Sequence, residues 1–518
     1  MGMASATGTA STYPPGRPPT ATAPSRLARG RCCPGSGRRH NRARGKHEAE
    51  LDQYGVDVPG ASGVPAGVVS ACGHRRFGDP WMSGGHESFE LGSDRPLKAL
   101  IAAYQVSPCR GSEPGYGWHL TAALAAIGVD VHVITGAESR AEIEAQGRPG
   151  DGLTFHYVSH RALPRGFRSG ERSVYAEYLA WQRGCLEAAV RLDAEHNFDV
   201  VNHLSWGSLF WGSTLSRLGK PFVFGPIGGG QTSPEVLREW FGESWRREAQ
   251  RNWALRVALR SNPRARRTVQ AADLVLATNS ETAARSRALG ATRVELCLDT
   301  AVVPEAIAHE EHEVPGRSAP TVLWVGRNLP RKGVVLALHA FARVHRSVPS
   351  ARLVMLGGGL DDAATTAQIE ALGLNGAVHR LGQLPLPVVI DMYDTSSVML
   401  FSSIRESFGA QVLEAMSRGL PVVALDIHGV GDFMPATAGV KVPLQRGEGL
   451  ADALGEGVVQ LLTEPALWQE ASRAARAAAT RHTWERRAQE LARHFAGLAS
   501  ARRAGGSVSH MHAGDTGG

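Results

Sequence analysis

From Leu97 onward, short apolar runs end in polar or glycine-bearing loops and give way to longer amphipathic stretches. "LKALIAAY" comes first. It runs into "CRGSEPGYG", a loop with three glycines, then into the helical stretch "WHLTAALAAIG" and the apolar "VDVHVITG". Short apolar runs bounded by turn residues read as buried strands, and this order predicts a βαβ unit. Further strands are expected at "FDVVNHL", "PFVFGPIGGG" and "ADLVLATN". A second series opens at "APTVLWVGRN". It predicts a helix at "GVVLALHAFARVH", a strand at "ARLVMLGGG", a helix near 364–372 and strands at "VHRLG" and "SVMLFSS". "RESFGAQVLEAMSRGLPVVALD" adds one more helix and strand. The expected class is α/β, with two Rossmann-like, doubly wound domains facing a central cleft.

Residues 1–94 show no such period. They are rich in Gly, Pro, Ser, Ala and Arg, and read as a disordered low-complexity extension. Order is expected to begin soon after Met82, a candidate true start. The other expected divisions are a first domain over 95–315 and a second over 316–475, with a linker around 303–318. A helix over 476–500, with room to cross back to the first domain, and a disordered tail over 501–518 complete the chain.

At 518 residues the chain exceeds one ordinary core, and 43% hydrophobic with 20% charged residues fits a globular protein. The formal charge of +7 arises entirely within residues 1–50, where nine Arg or Lys face two acids. The rest is balanced, so no nucleic-acid partner is expected. Cys109, Cys185 and Cys297 are scattered, without disulfide or metal spacing, which suits a reducing cytoplasm. No apolar run reaches the roughly 18 residues of a membrane span, and no secretory signal is expected at the start of the sequence.

Two motifs carry chemistry. In "GRNLPRKG", which follows the strand "TVLWV", Arg327 and Lys332 are placed to meet one anion, with Gly326 opening the loop. A departing diphosphate needs such neutralisation; a solvated surface turn is the plain alternative. In "RESFGAQVLEAMSRGLPVVALD", Glu406 falls in a loop and Glu414 in a helix among Leu413, Ala415 and Met416. Ser407 is placed as the helix cap, and the helix start at Phe408 and Gly409 is an expected anion site. Carboxylates buried there need partners, and the adjacent hydroxyls of a ribose or hexose would serve. A structural arginine is the plain alternative.

This E-x7-E pattern between strands, with "GRNLPRKG" before it, resembles the retaining glycosyltransferases of family 4 over roughly residues 97–495. The resemblance implies a GT-B fold, an N-terminal acceptor domain and a C-terminal donor domain. It implies transfer from a nucleotide-diphosphate sugar, used as co-substrate with no other cofactor and no obligatory metal, with retention at the anomeric carbon. By resemblance, Arg327 and Lys332 would hold the diphosphate, Glu406 the sugar hydroxyls and Glu414 the ribose. "GSEPGYGWH" resembles the family's glycine-rich loop near the donor phosphates, with Gly115 and Gly117 permitting close approach. Its spacing is not that of a dinucleotide oxidoreductase. "GPIGGG" at 225–230 is a second close-approach loop.

His203 in "DVVNHLSW" matches a histidine the family often places near sugar and acceptor, at a strand end expected to face the cleft. Glu113 is a lesser candidate. Where many members carry two glycines and a glutamate, this chain has "HGVGDF", with Gly429, Gly431 and Asp432, which leaves the donor sugar open. The acceptor is also open: a polysaccharide, a lipid-linked sugar or a small natural product. Alternatives to a transferase are a GT-B sugar-nucleotide epimerase, a phosphorylase or a non-catalytic binder. "REWFGESWRREAQRNWALRVALRSNPRARR" mixes Trp240, Trp245 and Trp253 with arginines. It suits either peripheral contact with the inner face of a membrane or a solvated helix pair.

Overall fold

The computed structural model describes residues 95–146, 151–159, 171–308 and 318–511. The 1–94 extension and part of the linker lie outside the described residues. The first domain is one parallel sheet of β1 (Lys98–Ala103), β2 (Asp130–Gly136), β3 (Leu153–Val158), β4 (Val200–Ser205), β5 (Phe222–Ile227), β6 (Leu274–Ala277) and β7 (Val294–Leu296). Its order is β3-β2-β1-β4-β5-β6-β7. The second sheet has β8 (Thr321–Val325), β9 (Arg352–Leu356), β10 (Val378–Gly382), β11 (Val398–Phe401), β12 (Val422–Leu425) and β13 (Gly439–Val442), ordered β10-β9-β8-β11-β12-β13.

Both sheets reverse their strand order once, between β1 and β4 and between β8 and β11. Ligands of such sheets bind beyond the carboxyl ends of strands at that reversal. "CRGSEPGYG" follows β1, His203 and Trp206 end β4, "GRNLPRKG" follows β8, and "RESFG" follows β11. The topology therefore gathers the sequence motifs at the reversals.

The apolar-run reading passes over β3, β7 and β13, each an edge strand of its sheet. The central strands β4 and β11 are buried at every position, whereas β3 and β7 are mostly half-buried or exposed. An edge strand is covered on fewer sides and needs no unbroken apolar run.

The domains exchange elements. The last helix, Trp484–Met511, sets Trp484, Ala488, Leu491 and Phe495 into the first-domain core. In return Leu237, Trp240 and Phe241, from between β5 and β6, pack with Trp324 and Val334 in the second. The chain's two passages between the domains, near Val302 and near Thr483, lie side by side, because Val302 N–H donates to the His482 carbonyl at 3.0 Å and Trp484 N–H to the Val302 carbonyl at 3.1 Å. The disordered tail expected over 501–518 is corrected for 501–511, and 512–518 lie outside the described residues. Helix continues to Met511, and Arg503 pairs with Asp199 at 2.7 Å. A helix already anchored by its apolar face extends at one hydrogen bond per residue without a new nucleus.

Candidate functional site

The loops after β8 and β11 are clamped to one another. Trp324 Nε1 donates to Ser402 Oγ at 3.0 Å, and Ser402 Oγ donates to the carbonyls of Lys332 and Gly333 at 3.0 and 2.9 Å. Gly333, at φ 66°, passes so close to the Ser402 carbonyl that a Cβ would collide with it. Ile404 N–H completes the clamp by donating to the Arg331 carbonyl at 2.8 Å. In consequence Glu406 Oε2 lies 2.5 Å from Lys332 Nζ and 2.6 Å from Arg331 Nη1.

Burial pushes the Glu406 carboxyl up, but Lys332 and Arg331 more than reverse this and hold it below the usual carboxylate range. Burial lowers the Lys332 ammonium, and Glu406 opposes that shift. Arg327 is exposed and makes no such pair, although its charge bears on Lys332. Arg331 is the cation of this cluster that sequence reasoning passed over. Its signal was its place beside Lys332 inside the quoted motif.

Glu414 lies on the Ala410–Ser417 helix and accepts a hydrogen bond from Tyr393 Oη at 2.9 Å. Burial raises its pKa, and the tyrosine offsets this only in part. Gly409, at φ 100°, is the N-cap and lies against the Phe401 ring. Ser407 is not the cap. It sits two residues early, and its Oγ instead accepts from Gln231 Nε2 of the first domain at 3.3 Å. Phe408 is a core residue at 1% exposure, and Gly326 is buried against Trp324. Both shape the loops from beneath.

The first domain supplies the opposite wall. Gly228, in "GPIGGG", approaches so closely that a Cβ would lie 2.8 Å from Ser407 Oγ. Asp432 accepts the Ser280 N–H at 2.7 Å, and His428 Nδ1 is 2.6 Å from Glu281. Arg405 Nε is 2.7 Å from Glu248, which also stands 3.6 Å from Arg251. Burial and the charge of Arg405 lower Arg251 to about 10. Two further acids face this space. Burial and the Glu406 charge raise Asp299 to about 6. Glu113 is exposed, and the neighbouring Asp299 charge acts to raise its carboxyl above the usual range.

Three expectations are corrected. Gly115 and Gly117 do not form a loop but belong to the Ser112–Ala126 helix. A Cβ on Gly115 would strike the Arg110 carbonyl, and one on Gly117 would lie 3.1 Å from Val106, so both serve the fold of the preceding loop over the helix. His203 is buried in the first domain and does not face the cleft. Its Nε2 meets Tyr178 Oη and its Nδ1 meets Ser213 Oγ, each at 2.9 Å, and burial lowers its pKa to about 3. Of the three tryptophans read as a membrane face, Trp240 is buried and Trp245 packs against the second-domain core, leaving Trp253 exposed at 65%.

The family model described as "Glycosyl transferases group 1" matches residues 308–482, and "Glycosyl transferase 4-like domain" matches 116–298. The D-inositol 3-phosphate glycosyltransferase of Corynebacterium urealyticum is 32% identical over 182 residues, which are 34% of this chain and 42% of that protein. The alpha-D-kanosaminyltransferase of Streptomyces kanamyceticus is 32% identical over 149 residues, 29% of this chain and 38% of that protein. The chain thus spans less than half the length of these curated relatives. Sucrose-phosphate synthase from Thermosynechococcus elongatus superposes with a TM-score of 0.54 at 19% identity, over 79% of this chain and 100% of that one. Anabaena HepE in complex with UDP and glucose gives 0.51 at 17% identity, over 77% and 100%. With both family domains matched in order along one chain, and two parallel sheets carrying their motifs at one cleft, the protein belongs to the family 4 glycosyltransferases of GT-B fold.

Proposed function

We propose that the chain transfers a sugar from a nucleotide-diphosphate sugar to an acceptor hydroxyl with retention of anomeric configuration. The observation that carries this is the knot of Glu406 with Arg331 and Lys332 at the carboxyl ends of β8 and β11. The two cations have N–H donors left for a diphosphate, and Glu406 has Oε1 left for a sugar hydroxyl. As the bond from the anomeric carbon to the diphosphate oxygen breaks, charge grows on that oxygen, where fixed cations act most strongly. Arg327 adds to the same field. Glu414 takes the ribose hydroxyls. The acceptor oxygen enters on the face the diphosphate leaves, and the diphosphate takes its proton. These cations supply the neutralisation, so the reaction needs no metal and no cofactor beyond the donor.

UDP-sugars are the first donors to examine, since UDP is bound in the Anabaena relative. Thermal shift across nucleoside diphosphates and nucleotide sugars identifies the donor, and NMR of the product reads its anomeric configuration. An inverted product, or epimerised donor formed without acceptor, overturns the reading. Turnover unchanged by a chelator is expected.

Cytoplasmic action at a membrane surface is part of the proposal. Trp253 and Val257, one turn apart on the Trp245–Val257 helix, are exposed beside the exposed Arg256 and Arg260, a face that suits anionic lipid. No helix among the described residues is long and apolar enough to cross a membrane. Co-sedimentation with phosphatidylserine vesicles that survives Trp253→Ala together with Arg256→Gln would remove this face from consideration.

A further inference from the structure

Beyond the end of β4 stands a set of aromatic rings that the donor site does not use. Tyr175 stacks on Trp211 at 5.3 Å and stands edge-on to Trp206 at 6.2 Å. Tyr175 is 40% exposed, and Trp206 and Trp211 are partly open. Beneath them Tyr104 is buried and meets Trp206 edge-on at 5.2 Å. Trp206 has φ 56°, which a bulky residue rarely adopts unless its surroundings impose it. Tyr178 Oη imposes it by donating to the Trp206 carbonyl at 3.1 Å, and His203 holds Tyr178. The buried histidine is therefore a positioning residue for the indole.

This platform adjoins the donor site. Gly228 N–H donates to the Gly207 carbonyl, next to Trp206, at 2.9 Å, and Gly228 itself abuts Ser407 beside Glu406. Arg251 Nη1 donates to the carbonyl of Gln231 at 3.2 Å, and Gln231 Nε2 donates to the same Ser407 at 3.3 Å. Glu248 stands 3.6 Å from Arg251 and 2.7 Å from Arg405, so Arg251 is the less compensated of the two cations. Glu113 is exposed on the first turn of the Ser112–Ala126 helix, which follows β1, the strand paired with β4.

Resting on the transfer reading above, we propose that Trp206, Tyr175 and Trp211 form the acceptor subsite, and that the acceptor is a sugar ring bearing a phosphate or carboxylate. The ring stacks on the indole, Glu113 accepts a hydrogen bond from the reacting hydroxyl, and Arg251 receives the anionic group. That hydroxyl oxygen bonds to the anomeric carbon as the carbon–diphosphate bond breaks, and its proton departs on the diphosphate.

The test measures transfer from the identified donor to glucose, glucose 6-phosphate and glucuronate, beside calorimetric binding of the nucleoside diphosphate. At least one anionic sugar is expected to exceed glucose in kcat/KM by roughly tenfold, the phosphate and carboxylate arms separating the two sources of charge. Trp206→Ala should raise acceptor KM about tenfold with nucleotide affinity unchanged, and Trp206→Phe should recover most of it, which separates stacking from misfolding. Arg251→Met should abolish the preference for anionic sugars and leave nucleotide affinity unchanged. Equal use of glucose, an unchanged acceptor KM in Trp206→Ala, or loss of nucleotide affinity in Arg251→Met each overturns the proposal. If the wild type binds no nucleoside diphosphate or nucleotide sugar, the transfer reading itself falls, and this inference with it.

Discussion

Glu406 and Glu414 are eight residues apart in one strand–helix turn, yet their settings are opposite. Two cations hold Glu406 ionised, whereas burial beside Tyr393 raises Glu414. Glu406→Gln is expected to cut kcat about 100-fold while nucleoside diphosphate affinity holds or rises, since both cations are then freed. Glu414→Gln should weaken nucleotide and donor alike; calorimetry beside steady-state rates reads both, and the reverse pattern would exchange the roles. Lys332→Ala should lower kcat by roughly 100-fold or more; a change confined to KM would mean ground-state binding only.

Among elements, the donor-side loops were legible because their chemistry is local. A strand, a short loop with cations and a glycine stop leave their mark within a dozen residues. The start of the Ser112–Ala126 helix was not legible. Two glycines and a proline oppose helix by propensity, but the close approach of the 105–110 loop requires glycine at 115 and 117, and packing overrides propensity. His203 misled for a similar reason, since a histidine at a strand end reads alike whether its ring faces a cleft or a buried tyrosine. The "GPIGGG" loop is where elements of the two domains meet. Gly228→Ala would place a Cβ 2.8 Å from Ser407 Oγ. It should raise donor KM about tenfold with an unchanged melting temperature, and a lowered melting temperature would instead assign the glycine to the fold.

At the scale of the whole molecule, the domains are held by mutual exchange, each lending a segment to the other's core. Removing residues 481–518 takes Trp484, Leu491 and Phe495 from the first-domain core. Burial of each large apolar side chain contributes roughly 1.5–3 kcal/mol, against a typical total stability of about 5–15 kcal/mol. The truncated chain is expected in the insoluble fraction on expression, and a soluble, cooperatively melting product would show the helix to be dispensable.

The fold class, the two-domain order and the candidacy of Lys332 and Glu406 follow from the chain read alone, because strand periodicity and turn chemistry act over a few residues; that Lys332 and Arg331 rather than Arg327 pair with Glu406 does not. Only the tertiary structure decided which glycines approach another backbone, where His203 points and which tryptophans are covered. It also set the Trp206 loop against Gly228, and Arg251 against Gln231, both beside Ser407 of the other domain and far apart along the chain. Contacts of that kind depend on the order of strands in the sheets and on the closure of one domain against the other, and no local pattern records either.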